Sequence, residues 1–175
     1  CPALLGAEQP AAAKGPATWP DFPHFEPALV AEIVGKSHSD EGRVRQLIEQ
    51  HPSLVNAAWD WGFGDWETPL GAASHVGQRG IAEYLIEKGA RVDLFAAAML
   101  GYTGVVRAWV EARPGVQRLL GPHGIPLLAH AKAGGERAKE TLEYLTSLGD
   151  AGKGLESTPI EYEERKKYLA SFELD

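Results

Sequence analysis

Cysteine is nearly missing from this 175-residue chain: Cys1 stands alone, so no internal disulfide can form and no Cys-x-x-Cys metal cluster is present. Long apolar runs are missing too, and no segment approaches the ~20 residues that a membrane-crossing helix needs. Positive charge is scarce, with 17 Lys and Arg against 24 Asp and Glu and a formal net charge of −7. That balance argues against nucleic acid as a partner, because phosphate binding is driven by clustered Lys and Arg. The one dense basic run, Arg165-Lys166-Lys167, lies among acidic residues. Also absent are a nucleophile motif, a Gly-rich phosphate loop and a His-Glu-x-x-His pattern, so neither catalysis nor a cofactor is expected. Hydrophobic residues make up 44% of the chain, enough to bury the core of one domain.

What is present is punctuation. In the stretch from Thr68 to Ala90, Thr68 can cap a helix with its hydroxyl, and Pro69 sits at the first helical position, where its missing N–H costs nothing. Small Ala72 and Ala73 admit a neighbouring helix. Gly77 breaks the chain; Ile81, Ala82, Leu85 and Ile86 then form the apolar stripe of a second helix. Gly89 supplies a left-handed terminus. This Thr-Pro-Leu helix–turn–helix unit resembles an ankyrin repeat and aligns to that family's pattern without a gap. The family's usual His after Thr-Pro-Leu is Gly71 here, which removes one turn-stabilising hydrogen bond.

Self-similarity along the chain extends the resemblance. Residues 125–134, Ile-Pro-Leu-Leu-Ala-His-Ala-Lys-Ala-Gly, match the same pattern in register, and Gly134 follows Gly101 by 33 residues, the ankyrin period. Leu94 to Gly101, followed by Val105, Val106, Trp109 and Val110, gives another unit. Its Gly101 falls only 24 residues after Gly77, so the hairpin that separates repeats is nearly absent there. A degenerate first unit runs from Leu29 to Val55, with Val44, Leu47 and Ile48 as its stripe. From Ser39 to Gly77 is 38 residues, so the first finger is enlarged. The expected fold is therefore all-α: an ankyrin-type solenoid of about four helix–turn–helix units with irregular fingers, spanning residues 28–149. Leu85 and Leu127 are expected core residues of neighbouring units.

The flanks differ. Residues 1–27 hold six of the twelve prolines and cannot be regular secondary structure. Trp19, Phe22 and Phe25 are expected to lie against the first unit. Cys1 to Ala7 is similar to the end of a secretory signal, which implies an extracytoplasmic, periplasmic or secreted protein; a lipid-bearing Cys1 or an ordinary tail and a cytoplasmic protein are the alternatives. Residues 150–175 read as a Gly-rich break and a capping helix with Tyr162 and Tyr168, or as the lead-in to a further domain.

Ankyrin stacks bind through finger tips and the exposed side of the first helices. Carried over to this chain, the resemblance implies a concave, aromatic-rich face binding a protein partner, through Trp59, Trp61, Phe63, Asp65, Trp66, Glu67, His75, Met99, Leu100 and His123, with Ser37 and His38 contributing from the first unit. The chain is expected to be a monomer. Trp66, beside the Thr68-Pro69 helix start, is expected to be packed, and Trp61 to be the exposed anchor, since aromatic residues dominate hot spots. An alternative chemistry is a small-ligand or metal site: His75, His123 and His130 come from successive units, with Asp65 and Glu67 near His75. His130 replaces a small residue of the pattern and is expected to fill a gap, with its ring bonded internally.

Overall fold

The computed structural model describes residues 24–62 and 64–154. Eight α-helices lie among them in four consecutive pairs: α1 (Pro27–Lys36) with α2 (Glu41–Gln50), α3 (Pro69–His75) with α4 (Arg79–Glu87), α5 (Leu94–Leu100) with α6 (Thr103–Ala112), and α7 (Leu127–Ala133) with α8 (Lys139–Ser147). The architecture is all-α, with one small antiparallel hairpin inserted before α3. In it β1 (Trp59–Asp60) pairs Trp59 with Glu67 and Asp60 with Trp66 of β2 (Trp66–Glu67).

The local signals act as physical chemistry requires. The Thr68 hydroxyl accepts from the Gly71 N–H at 3.0 Å, and Asp93 Oδ1 accepts from Ala96 N–H at 2.7 Å, each satisfying a donor that its helix start leaves open. Asp40 does the same for α2 through the Arg43 N–H at 3.0 Å. Short helices of seven to ten residues are marginal alone, so packing of their apolar stripes holds them. The helices α1, α3, α5 and α7 follow one another side by side, while α2 packs beside α4 and α6 beside α8. One core cluster joins Ile33, Leu47, Leu70 and Leu85; a second joins Leu94, Val106, Leu127 and Leu145. Leu85 and Leu127 are both fully buried. Phe25 lies against the first cluster, its ring edge-on to His51 at 5.7 Å; Trp19 and Phe22, Cys1 to Ala7, residues 155–175 and Phe63 fall outside the described residues.

The connections are unequal, and this positions everything that follows. Residues 51–68 carry the hairpin between α2 and α3, whereas only residues 88–93 separate α4 from α5. With no finger there, α7 closes down on α5 and also reaches α3. The ends of the first helices meet so closely that a Cβ added at Gly77 would collide with the Ala133 carbonyl, and one at Gly134 with the Met99 carbonyl. Arg79 ties the junction: its guanidinium donates to the carbonyls of Met99 at 2.9 Å, Leu100 at 3.2 Å and Gly134 at 3.5 Å.

This closure corrects two expectations. Met99 and Leu100 are buried, not presented on a concave surface, because α7 covers the end of α5. They belong to the core and offer a partner nothing.

Candidate functional site

The hairpin sends adjacent residues in opposite directions, as successive residues of a strand must go. Trp66 points outward and is 62% exposed, while Glu67 points inward and is fully buried. An isolated buried carboxylate is expensive, so its surroundings have to answer for it. Trp61 donates its indole N–H to Glu67 Oε2 at 2.9 Å. His75 Nδ1, from the last residue of α3, lies 3.0 Å from Oε1. The Nε2 atoms of His38 and His123 lie 3.6 and 3.5 Å from Oε2. Burial pushes the Glu67 carboxyl up, but the 3.0 Å approach of His75, the bond from Trp61 and the proximity of His38 outweigh it, leaving its pKa below the ordinary value.

Four chain segments thus converge. His38 comes from the turn after α1, Glu67 from the finger, His75 from α3 and His123 from the loop before α7. One potential ligand atom from each lies within 4.8 Å of every other. The rings touch as well, with centroids of His38 and His75 at 4.8 Å and of His75 and His123 at 5.2 Å. Two hydrogen bonds orient the imidazoles. His38 Nδ1 donates to the Gly35 carbonyl at 3.0 Å, and His123 Nδ1 to Asp65 Oδ2 at 2.8 Å, so that both Nε2 atoms face Glu67. Asp65 grips His123 twice, since its Oδ1 accepts the His123 backbone N–H at 2.8 Å. That grip offsets the strain of a non-glycine residue at φ 59°.

His130 is a neighbour rather than a member. Its ring is fully buried, with Nδ1 3.2 Å from the Pro126 carbonyl, and stands 6.4 Å from His75 and 5.0 Å from Phe95. Burial drives its pKa down to about 4, so it is a neutral core histidine at neutral pH. In the polar cluster expected from the sequence, His38 therefore stands where His130 was placed. Asp65 pairs with His123 and not with His75.

Trp61 is exposed as expected, whereas Trp66, expected to be packed, is the more exposed ring. Trp61, 37% exposed, is anchored through its N–H and faces the His123 ring at 6.0 Å. Trp59 packs against the first core cluster, edge-on to Trp61 at 6.5 Å. On one side of Trp66 is a cavity of about 160 Å3 bordered by Gly71, Asp93, Phe95 and Pro122. On the other is a groove of about 300 Å3 bordered by Leu70, Arg91 and Val92. Gly71 borders the first: an added Cβ would already lie 3.5 Å from both Glu67 Cγ and Pro122 Cγ, so a larger side chain at this position would fill the space.

Chemically, three imidazoles and one carboxylate make a donor set for a transition metal or for proton exchange with a polar ligand. No family model, curated protein or solved structure matches this chain.

Proposed function

We propose that this chain is an ankyrin-type stack of four helix pairs that acts as a non-catalytic binding module, engaging a protein partner with its first finger. The observation that carries this reading is Trp66: a large ring, mostly exposed, on a two-stranded ribbon, flanked by cavities of about 160 and 300 Å3. Tryptophan at that exposure is a hot-spot residue awaiting a surface to cover it. The four helix pairs, the Thr68 cap and the enlarged finger support the ankyrin-type part of the reading. No helix among the described residues is long and apolar enough to cross a membrane.

A photo-crosslinking amino acid placed at position 66, and separately at position 109, tests the proposal in cells of the source organism. Trp109 is an apt control because it is also exposed, at 48%, but lies on α6. A discrete crosslinked species from position 66 and none from position 109 is the expected result. Equal labelling from both positions would remove the finger from consideration.

A second reading, in which the His and acid cluster binds a small ligand or metal, is favoured by a different observation: a fully buried Glu67 facing three histidines.

A further inference from the structure

We propose that His38, His75, His123 and Glu67 hold one divalent transition-metal ion, zinc or a close equivalent, in the hollow behind the first finger. The argument begins with hydrogens. Because Nδ1 of His38 is committed to the Gly35 carbonyl and Nδ1 of His123 to Asp65, Nε2 is the atom each ring has left to offer, and both Nε2 atoms lie on the Glu67 side. They stand 3.5–3.6 Å from Glu67 Oε2, longer than a hydrogen bond and close to the spacing of two ligands on one ion. Two further atoms in the hollow, Glu67 Oε1 and His75 Nδ1, are buried and make no directed hydrogen bond even though they lie 3.0 Å apart. Four donor atoms converging on one hollow, two of them buried without an aligned partner, are stabilised by a cation placed between them.

The donor set selects the cation. Three imidazole nitrogens with one carboxylate suit zinc, copper, nickel or iron, whereas magnesium and calcium prefer oxygen donors. A tetrahedral zinc site with bonds of about 2.0–2.1 Å has ligand atoms about 3.3 Å apart. The present separations, from 3.0 Å to at most 4.8 Å, reach that spacing with small rotations of the part-exposed His38 and His123. The surroundings match as well. Asp65 on the far nitrogen of His123 forms the carboxylate–histidine arrangement that fixes a metal ligand's tautomer and raises its basicity. Glu67 and Asp65 together carry two negative charges, enough to balance a divalent ion, and the Trp61 indole holds Glu67 in place. This inference stands apart from the partner reading, since it rests on the inner side of the finger and not on Trp66.

The test uses the full chain, stripped with EDTA and titrated with Co2+ and then Zn2+. One equivalent of Co2+ should bind and give the visible absorption of a low-coordinate histidine and carboxylate site, and Zn2+ should displace it. His38→Gln should weaken Co2+ binding at least tenfold. Asp65→Asn should weaken it about 10–100-fold while leaving the ligands themselves intact. Trp66→Ala should bind Co2+ as the parent does, which separates failure of the partner reading from failure of this one. Should Glu67→Gln fail to fold, His38→Gln carries the test, because His38 sits in a part-exposed turn. Two results would overturn the proposal: a natively folded parent, judged by circular dichroism, that takes up neither ion at one equivalent, or a His38→Gln protein that binds Co2+ like the parent. Either would mean that the donor atoms are satisfied by protons instead.

Discussion

The connection before α3 and the connection before α5 differ more than any other pair of equivalent regions in the molecule. The first carries a hairpin with Trp59, Trp61 and Trp66; the second is residues 88–93 alone. Taken separately, one looks like an ornament and the other like a deletion. Together they build the site. Beside the short connection α7 reaches α3, and the His123 loop meets Asp65, the residue just before β2. The site is thus built where helix pairs that are not neighbours in the chain come into contact.

The comparison can be broken most forcefully in the packing that lets α7 close. Leu85→Ala and Leu127→Ala each remove a fully buried side chain and should each cost roughly 2–5 kcal/mol in urea unfolding. If both variants unfold at the parental midpoint, the packed register described here is wrong.

A pH series sharpens the same side of the comparison. His130, trapped where α7 meets α3 and α5, has a folded pKa near 4, below its ordinary 6.5. The unfolded chain then takes up the proton first. Stability should fall as pH drops from about 6.5 to about 4, by up to about 3 kcal/mol, with no further loss from this group below that window. His130→Leu should flatten the curve there. Glu67, whose folded pKa is also lowered, should withdraw its contribution only at more acidic pH, as the carboxylate itself takes a proton.

On the finger side, Trp61→Phe removes the indole N–H from Glu67 Oε2 and should cost about 1–3 kcal/mol, because a buried carboxylate loses a donor. Trp66→Ala should change stability by less than about 0.5 kcal/mol, as surface replacements do, while weakening partner binding by about 2 kcal/mol or more. Two tryptophans of one finger are thus expected to separate stability from recognition. A large loss of stability in Trp66→Ala would return that ring to the core.

Much of this was legible in the sequence, and the gaps have physical causes. Thr68-Pro69, the periodic stripes and the spacing of Gly77, Gly101 and Gly134 marked the helix pairs because they are local signals. The short interval of 24 residues flagged the absent finger, and residues 59–66 flagged the enlarged one. Sequence does not say which way a two-residue strand faces, so Trp66 reads as packed although it is the more exposed ring, while Trp61 is exposed as expected. Met99 and Leu100 were placed on a surface because the family pattern assumes regular spacing, and the short connection lets α7 cover them instead. Glu67, His75 and His123 were named; His38 stood only among the weaker candidates, since its place in the hollow depends on the turn after α1. That turn carries a signal in hindsight: the residue just before it in the chain, Ser37, is buried and spends its hydroxyl on the Ile33 carbonyl at 2.8 Å, which anchors the turn that carries His38.

The central claim, that the loop before α7 is joined to the hairpin before α3, is tested most directly by a double-mutant cycle on Asp65 and His123. Asp65→Asn, His123→Asn and the double variant would be unfolded in urea in the presence of EDTA, so that no metal contributes. The two-point grip of Asp65 on the His123 ring and backbone predicts a coupling energy of about 1–2 kcal/mol, within the range for directly bonded residues. Losses that simply add, within about 0.3 kcal/mol, would show that the two loops do not meet in solution and would contradict the account.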